Sequence, residues 1–436
     1  LRDDVRWSDG APVTAEDFEH AWKRVLNPAT GSPSASLLYD VRGAEAYHQG
    51  HTDSPDGVGV RTLDDVTLEV ELEGPTGYFL HLLAHNVAYP IPRHLLRGAG
   101  AAWAELPNIV TNGPFTLIAW DRGESMLLEH NPAYHGHFTG NLCQVELPFS
   151  ARRLGRVMEM YEENHVDVCP FVLLAQEEWD LARQRHVEEY VSAPSLNALY
   201  VGFDLHRQPF DDPRVRRAFT LAIDRETLAD VAMRGYFFPA TGGFVPPGMP
   251  GHSPGIGPAY DPETAQYLLD EAGYPGGRGF PVVDALLPAD RPVLAAIVQY
   301  LEAQWSENLG VQTAWSELGW GQFLQRLGRE TPRMWFVGWS ADYPDPDSFL
   351  RAAEWRARTK WQNEAFDELV EGARRVMEQG KRMRMYQQAE RILVEESPIL
   401  VLLYGREHLL VKPWIKNFPP STMKPWSFKD VIIESH

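Results

Sequence analysis

Three things are scarce in this chain of 436 residues: long apolar runs, surplus positive charge and cysteine. No stretch approaches the roughly 18 uninterrupted apolar residues that a membrane-spanning helix requires. Lys and Arg number 40 against 60 Asp and Glu, a formal net charge of -20. Phosphate backbones are bound by an excess of cations, so this balance argues against a nucleic-acid partner. The 2 cysteines, Cys143 and Cys169, lie in apolar, strand-like surroundings. They are expected to be small buried residues rather than a disulfide, and so few thiols fix no compartment.

The familiar signatures of nucleotide and metal chemistry are missing too. There is no P-loop, no GxGxxG fingerprint, no HExxH and no paired CxxC. His81 and His85 share a helix face, and His135 and His137 stand two apart, but neither pair has a third ligand. No cofactor is expected. The chain shows no internal repeat and no low-complexity segment. It carries no initiator Met, signal peptide or lipid-anchor Cys near its start, so targeting cannot be read from it.

What is there describes an ordinary globular protein, 44% hydrophobic and 23% charged. Its length calls for two or three domains. In "PVTAEDFEHAWKRVL", Thr14 and Asp17 form a capping box, and Phe18, Ala21, Trp22 and Val25 repeat at helical spacing. Alternation over 66–72 predicts a strand, and the whole first stretch predicts a small mixed α/β unit. A second region from Phe138 carries strands at 144–149, 167–171 and 198–203. Its helices start at Asp212, with Pro213 in the first position, and at Asp224. The Pro- and Gly-rich segment 239–258 is the best internal boundary.

The third region is the most regular. Asp261 and Pro262 open a helix that Gly273 ends, and "VVDALL", "VQTAWSEL" and "MWFVGWSA" read as strands separated by helices. Such alternation predicts right-handed crossovers and a parallel sheet covered on both faces, whose strands are apolar throughout. A helix over 364–396 follows.

One short stretch stands out. In "GWSADYPDPDSFL" an apolar strand ends at Ser340, and a proline-broken acidic loop follows. Ligands of open α/β sheets bind beyond the carboxyl ends of strands, which is where Asp342 falls. The residues alone leave two roles open for Asp342, a ligand contact or a helix cap, and Asp345 or Asp347 would cap as well. Trp339, taken by itself, reads first as core packing. Gly338-Trp339-Ser340 begins like a nucleophile elbow, which would make a serine hydrolase. The final Gly is missing, however, and Pro344 and Pro346 forbid the helix that an elbow feeds.

"LRDDVRWSDGAPVTAEDFEHAWKRVLNPATGSPSA", "NIVTNGPFTLIAWDRGESMLLEHNPAYH", "FDLHRQPFDDPRVRRAFTLAIDRETL" and "GWSADYPDPDSFL" occur in this order. Together they resemble the family 5 extracellular solute-binding proteins of bacterial ABC importers, in particular the oligopeptide-binding branch. The resemblance implies an α/β, periplasmic-binding-protein-like fold with two ligand-gripping lobes, a hinge and a smaller middle lobe. Residues 1–137 would form the middle lobe, 138–239 with 406–436 the first gripping lobe, and 240–405 the second. Hinge crossings would lie near 239–243 and 404–406. The family has further residues before "LRDDVRWSDG", so the first gripping lobe is expected to be incomplete at its N-terminus.

The same resemblance implies a non-enzymatic, extracytoplasmic monomer, periplasmic or a cell-surface lipoprotein. It would capture oligopeptides in an interlobe cleft and deliver them to a membrane-embedded ABC permease. A ligand-sensing domain of a regulator is the alternative within the fold. Asp342 resembles the aspartate that receives a peptide's N-terminal ammonium, with Trp339 and Ser340 beside it and Tyr200 on the opposing lobe. Two positions depart from the pattern. Phe336 stands where an arginine serves the ligand carboxylate, and Ser34 where a tyrosine makes a middle-lobe contact.

Overall fold

A computed structural model describes residues 1–149, 155–289, 291–420, 423 and 426–436. The chain forms two compact units, Leu1–Ser192 with His408–His436, and Ala193–Glu407.

In the first unit, helix α1 (Ala15–Leu26) starts as its capping residues require. The Thr14 N–H donates to Asp17 Oδ2 at 3.0 Å. Asp17 is buried and also accepts from Trp7 Nε1 at 3.2 Å and from the Arg93 N–H at 3.1 Å. One carboxylate thereby joins the helix start to two distant segments. Strands β1 (Val60–Asp64) and β2 (Thr67–Val70) make a hairpin. Strands β3 (Phe115–Asp121), β4 (Ser125–His130) and β5 (Gln144–Pro148) make a second antiparallel sheet. Strand β6 (Val168–Pro170) follows, and then helix α2 (Gln176–Arg185). Both cysteines are free, but only Cys169 is buried. Cys143 falls in the bend just before β5 and is exposed, which corrects the expectation of two buried thiols.

Strand β7 (Tyr190–Phe203) carries the chain into the second unit. Helix α3 (Pro213–Leu221) begins at Asp212, whose side chain accepts from the Arg214 N–H, with Pro213 in the first turn. The two-residue strand β8 (Phe238–Pro239) precedes the Pro- and Gly-rich segment, and helix α4 (Pro262–Glu271) is capped by Asp261. Next come β9 (Val283–Pro288), α5 (Pro292–Leu309), β10 (Thr313–Leu318), α6 (Trp320–Arg329) and β11 (Met334–Ser340). Gly310 stops α5 with φ 66°, a left-handed conformation that glycine adopts without strain.

Strands β9, β10 and β11 are mutually parallel where they pair, as the intervening helices require. The sheet as a whole is mixed, because β11 runs antiparallel to β7 along its full length. Its order is β10-β9-β11-β7, then β12 (Ile399–Val411), which β8 pairs antiparallel. The end of β12 re-enters the first unit, where Leu409–Val411 pair with β6, and the small β13 (Ile415–Lys416) and β14 (Ile432–Ile433) follow.

The expected helix over 364–396 is two helices, α7 (Glu364–Arg374) and α8 (Gln379–Glu396). Glu378 causes the break by capping α8, accepting from the Gly380 and Lys381 N–H groups. One face of the sheet packs its apolar side chains, Phe203, Met334 and Phe336 among them, against Phe219, Leu301 and Trp305 of the helices. The Trp305 N–H is satisfied by Phe219 O at 3.0 Å, so this large ring is buried without an orphaned donor.

Candidate functional site

Strand β11 reads Met-Trp-Phe-Val-Gly-Trp-Ser, a composition that suits a strand covered on both faces. Its seven residues pair with β7, from Met334 opposite Phe203 to Ser340 opposite Asn197. On its other side β9 pairs only at Met334 and Trp335. From Phe336 to Ser340, among the described residues, no strand lies along that edge. Most of β11 thus has no partner strand on that side, a template for one more strand.

Just past this edge the chain is fixed by hydrogen bonds rather than by a ladder. The Ala341 N–H donates to Leu196 O at 2.8 Å, and the Asp342 N–H to Ser348 Oγ at 3.0 Å. Pro344 and Pro346 supply no N–H. The loop instead closes on its own acids: Asp345 Oδ1 accepts from the Asp347 N–H at 3.1 Å, and Asp345 O accepts from the Ser348 N–H at 3.0 Å. The helical turn Ser348–Ala352 has Asp347 at its N-cap position, where the Asp347 side chain makes no capping hydrogen bond.

The three acids of the loop differ electrostatically. Burial pushes the Asp342 carboxyl up to about 6, with the charge of Glu354 adding to the effect. Burial also raises Asp345 to about 6, although Arg382 works against it. Burial alone would raise Asp347, but Arg351 and the Tyr343 hydroxyl hold it below the usual carboxylate range. Asp347 accepts from the Tyr343 hydroxyl and pairs with Arg351, and Asp345 pairs with Arg382. Asp342 is half-buried at the end of the open strand edge.

Trp339 and Ser340 flank this point. Trp339 is half-buried, and among the described residues its Nε1 is buried without a hydrogen-bond partner. The Asn197 amide donates to Trp339 O at 3.0 Å and to Ser340 Oγ at 2.9 Å. The exposed Ser340 hydroxyl is therefore held by an amide rather than by a base, which is not the arrangement of an activated nucleophile.

Tyr200 lies opposite Val337 on β7, on the same sheet face as Trp339, but it is only 1% exposed. Its ring meets Phe244 edge-on at 5.2 Å, and burial raises its hydroxyl pKa. Phe336 is 0% exposed and faces the opposite side of the sheet, inside the core. Strand alternation requires this, since residues three apart on a strand point to opposite faces. Ser34 belongs to the first unit, where it is the N-cap of the short helical turn Ala35–Leu38. The structure thus groups Asp342, Trp339 and Ser340 at one strand end, with Phe336 in the core and Tyr200 walled in on the neighbouring strand of the same unit, which corrects the expectation of Tyr200 on an opposing lobe.

Sequence reasoning did not find Asn197, Ser348, Arg382 or Tyr386. A signal existed for the last two. Arg382, Tyr386 and Glu390 recur every fourth residue on a helix face that also buries Ala389 and Leu393. A polar stripe among core positions asks for buried partners.

Comparison with known proteins agrees with this architecture. The model of the "Bacterial extracellular solute-binding proteins, family 5 Middle" matches residues 1–356. The periplasmic oligopeptide-binding protein OppA of Escherichia coli (strain K12) is 31% identical, over 96% of this chain and 78% of its own length. The probable deoxycholate-binding periplasmic protein YgiS of the same organism is also 31% identical, over 100% of this chain and 82% of its own. The solved structure of the Escherichia coli murein tripeptide binding protein MppA superposes with a TM-score of 0.88 at 25% identity, covering 100% of this chain and 86% of that one. The chain belongs to the family 5 bacterial extracellular solute-binding proteins, and it has the mixed α/β fold of the periplasmic peptide-binding proteins.

Proposed function

We propose that this protein is the extracytoplasmic binding component of an ABC importer and that it takes oligopeptides by their free N-terminus. The observation that carries the reading is the open edge of β11 leading to Asp342. An extended peptide pairs with a free strand edge through its main chain, whatever its sequence. Its ammonium then reaches a half-buried carboxylate through a charge-assisted hydrogen bond.

The same carboxylate separates two ligand classes that relatives' names leave open. YgiS and OppA are equally identical to this chain, and one name specifies deoxycholate, the other oligopeptides. Deoxycholate is an anion. Placing it beside Asp342 would set two negative charges together in a partly desolvated site. The peptide reading has no such conflict.

In this reading the protein releases its ligand unchanged, works without a cofactor as a monomer, and hands peptide to a membrane-embedded permease. A three-lobe organisation is part of the proposal; because β7 pairs with β11 inside one compact unit, the proposed boundary between the gripping lobes lies near 192/193 and 407/408 rather than at 239/240 and 405/406. Calorimetric titration with free tri- to pentapeptides, with the same peptides N-acetylated, and with deoxycholate tests it. Free peptides should bind, and acetylated peptides and deoxycholate should bind far more weakly. Binding of deoxycholate in preference to every free peptide would overturn it.

A further inference from the structure

A strand that ends at Ser340 does not by itself aim a side chain two residues further on. Prolines at 344 and 346 remove two N–H groups that a ladder to a neighbouring strand would use. The anchoring comes from α8 instead. Arg382 Nη2 reaches Asp345 Oδ2 at 2.7 Å, and both side chains are sealed, 8% and 3% exposed. One turn further along, the Tyr386 hydroxyl donates to Asp347 Oδ1 at 3.2 Å. Asp347 also accepts from the Tyr343 hydroxyl at 2.6 Å and pairs with Arg351.

These contacts lead directly back to Asp342. Asp345 O and Asp345 Oδ1 accept from the N–H groups of Ser348 and Asp347, and Ser348 Oγ accepts the Asp342 N–H. A movement of Asp345 or Asp347 therefore moves the hydroxyl that holds the Asp342 backbone. The two α8 side chains are one helical turn apart, and their targets are two residues apart in the loop, so the helix clamps the loop at both acids.

We propose that Arg382 and Tyr386 are positioning residues for the ligand site: they touch no ligand, and through Asp345 and Asp347 they fix the aim of Asp342. The inference rests on the reading of Asp342 as the contact for a peptide ammonium. It adds that the strength of that contact is set by α8, an element about forty residues away in sequence.

Tyr386→Phe removes only the hydroxyl, and Arg382→Lys keeps a cation in place of the Arg382→Gln loss. For each variant, for wild type and for Asp342→Asn, the dissociation constants of one tripeptide and its N-acetylated form are measured, with the thermal midpoint alongside. The readout is the ratio of the two constants, which a loss of stability alone does not move. Tyr386→Phe and Arg382→Gln should lower this ratio by about threefold or more, as coupled neighbours do, and Arg382→Lys should restore part of it. If Asp342→Asn collapses the ratio while Tyr386→Phe and Arg382→Lys leave it at the wild-type value, the positioning role is overturned and the site reading stands. If Asp342→Asn leaves the ratio unchanged, the site reading itself fails. Tyr386→Phe keeps the ring packing, so the test survives an Arg382→Gln variant that does not fold.

Discussion

The backbone N–H of Asp342 ends on the hydroxyl of Ser348, 3.0 Å away across six positions of chain, and Ser348 is fully buried. That one bond closes the acidic loop into a ring whose rim carries the Asp342 carboxylate.

Ser348→Ala should therefore show two effects. Losing the acceptor leaves a partly buried N–H without its partner, which costs about 1 to 3 kcal/mol of stability. It should also weaken binding of free peptides more than of N-acetylated ones, because Asp342 loses its backbone restraint. Chemical denaturation gives the first number and calorimetry the second. Equal weakening of both peptides would show that the ring does not set the direction of the acid.

The pH dependence of binding follows from the raised carboxyl of Asp342, about 6. An ammonium needs the ionised form, and a peptide N-terminus stays protonated throughout the acidic range. Affinity should be level above the folded pKa and fall as pH drops through it, by about tenfold between pH 7 and pH 5. Asp342→Asn should bind weakly and with little pH dependence over that range. A wild-type affinity that rises on acidification would contradict this assignment.

Glu390 gives a stability test that is independent of ligand. It is fully buried on α8, where Oε1 accepts from the Val245 N–H at 2.6 Å. Burial pushes its carboxyl up to about 7. A folded-state pKa above the unfolded value means that the native state binds the proton more tightly. Its contribution is fully present below about pH 4.5 and is lost as pH rises through about 7. Relative to wild type, Glu390→Gln should gain stability from pH 5 to pH 8, by up to about 3 kcal/mol. Denaturant titrations of both proteins across that range read the difference directly. A constant difference would mean that Glu390 does not titrate there.

Phe336 carries the prediction for the other end of the ligand. It is 0% exposed in the core, on the sheet face opposite Trp339, so no cation occupies that position of β11. Amidating a bound peptide's C-terminus should change affinity little. A loss above about 2 kcal/mol, the scale of a charged hydrogen bond, would require a carboxylate-binding cation elsewhere.

Much of the scaffold was legible because local chemistry decides it. Thr14 with Asp17, Asp212 with Pro213, and Gly310 mark helix ends through their own hydrogen bonds and backbone angles. The apolar run of β11 and the acid beyond it were also readable, since strand and loop differ in composition. Relations between distant segments were not. No local pattern says that β7 runs antiparallel to β11, or that Asn197 bridges Trp339 and Ser340. The break between α7 and α8 was missed because Glu378 caps a helix in the middle of an otherwise helical pattern. Phe336 and Trp339 differ in environment only because of strand alternation against two different faces, which needs the sheet to be known.

The most direct test of the account is a cycle of two proteins and two peptides: wild type and Asp342→Asn, each titrated calorimetrically at pH 7.5 with a free tripeptide and its N-acetylated form, a choice of pH about one unit or more above the Asp342 carboxyl. If Asp342 pairs with the ligand ammonium, acetylation should cost wild type about 10- to 150-fold in affinity, the range of a charge-assisted hydrogen bond. It should cost the Asn variant no more than about twofold, because the pair is already broken. The same loss in both proteins would contradict the pairing and leave Asp342 without a role in recognising the peptide.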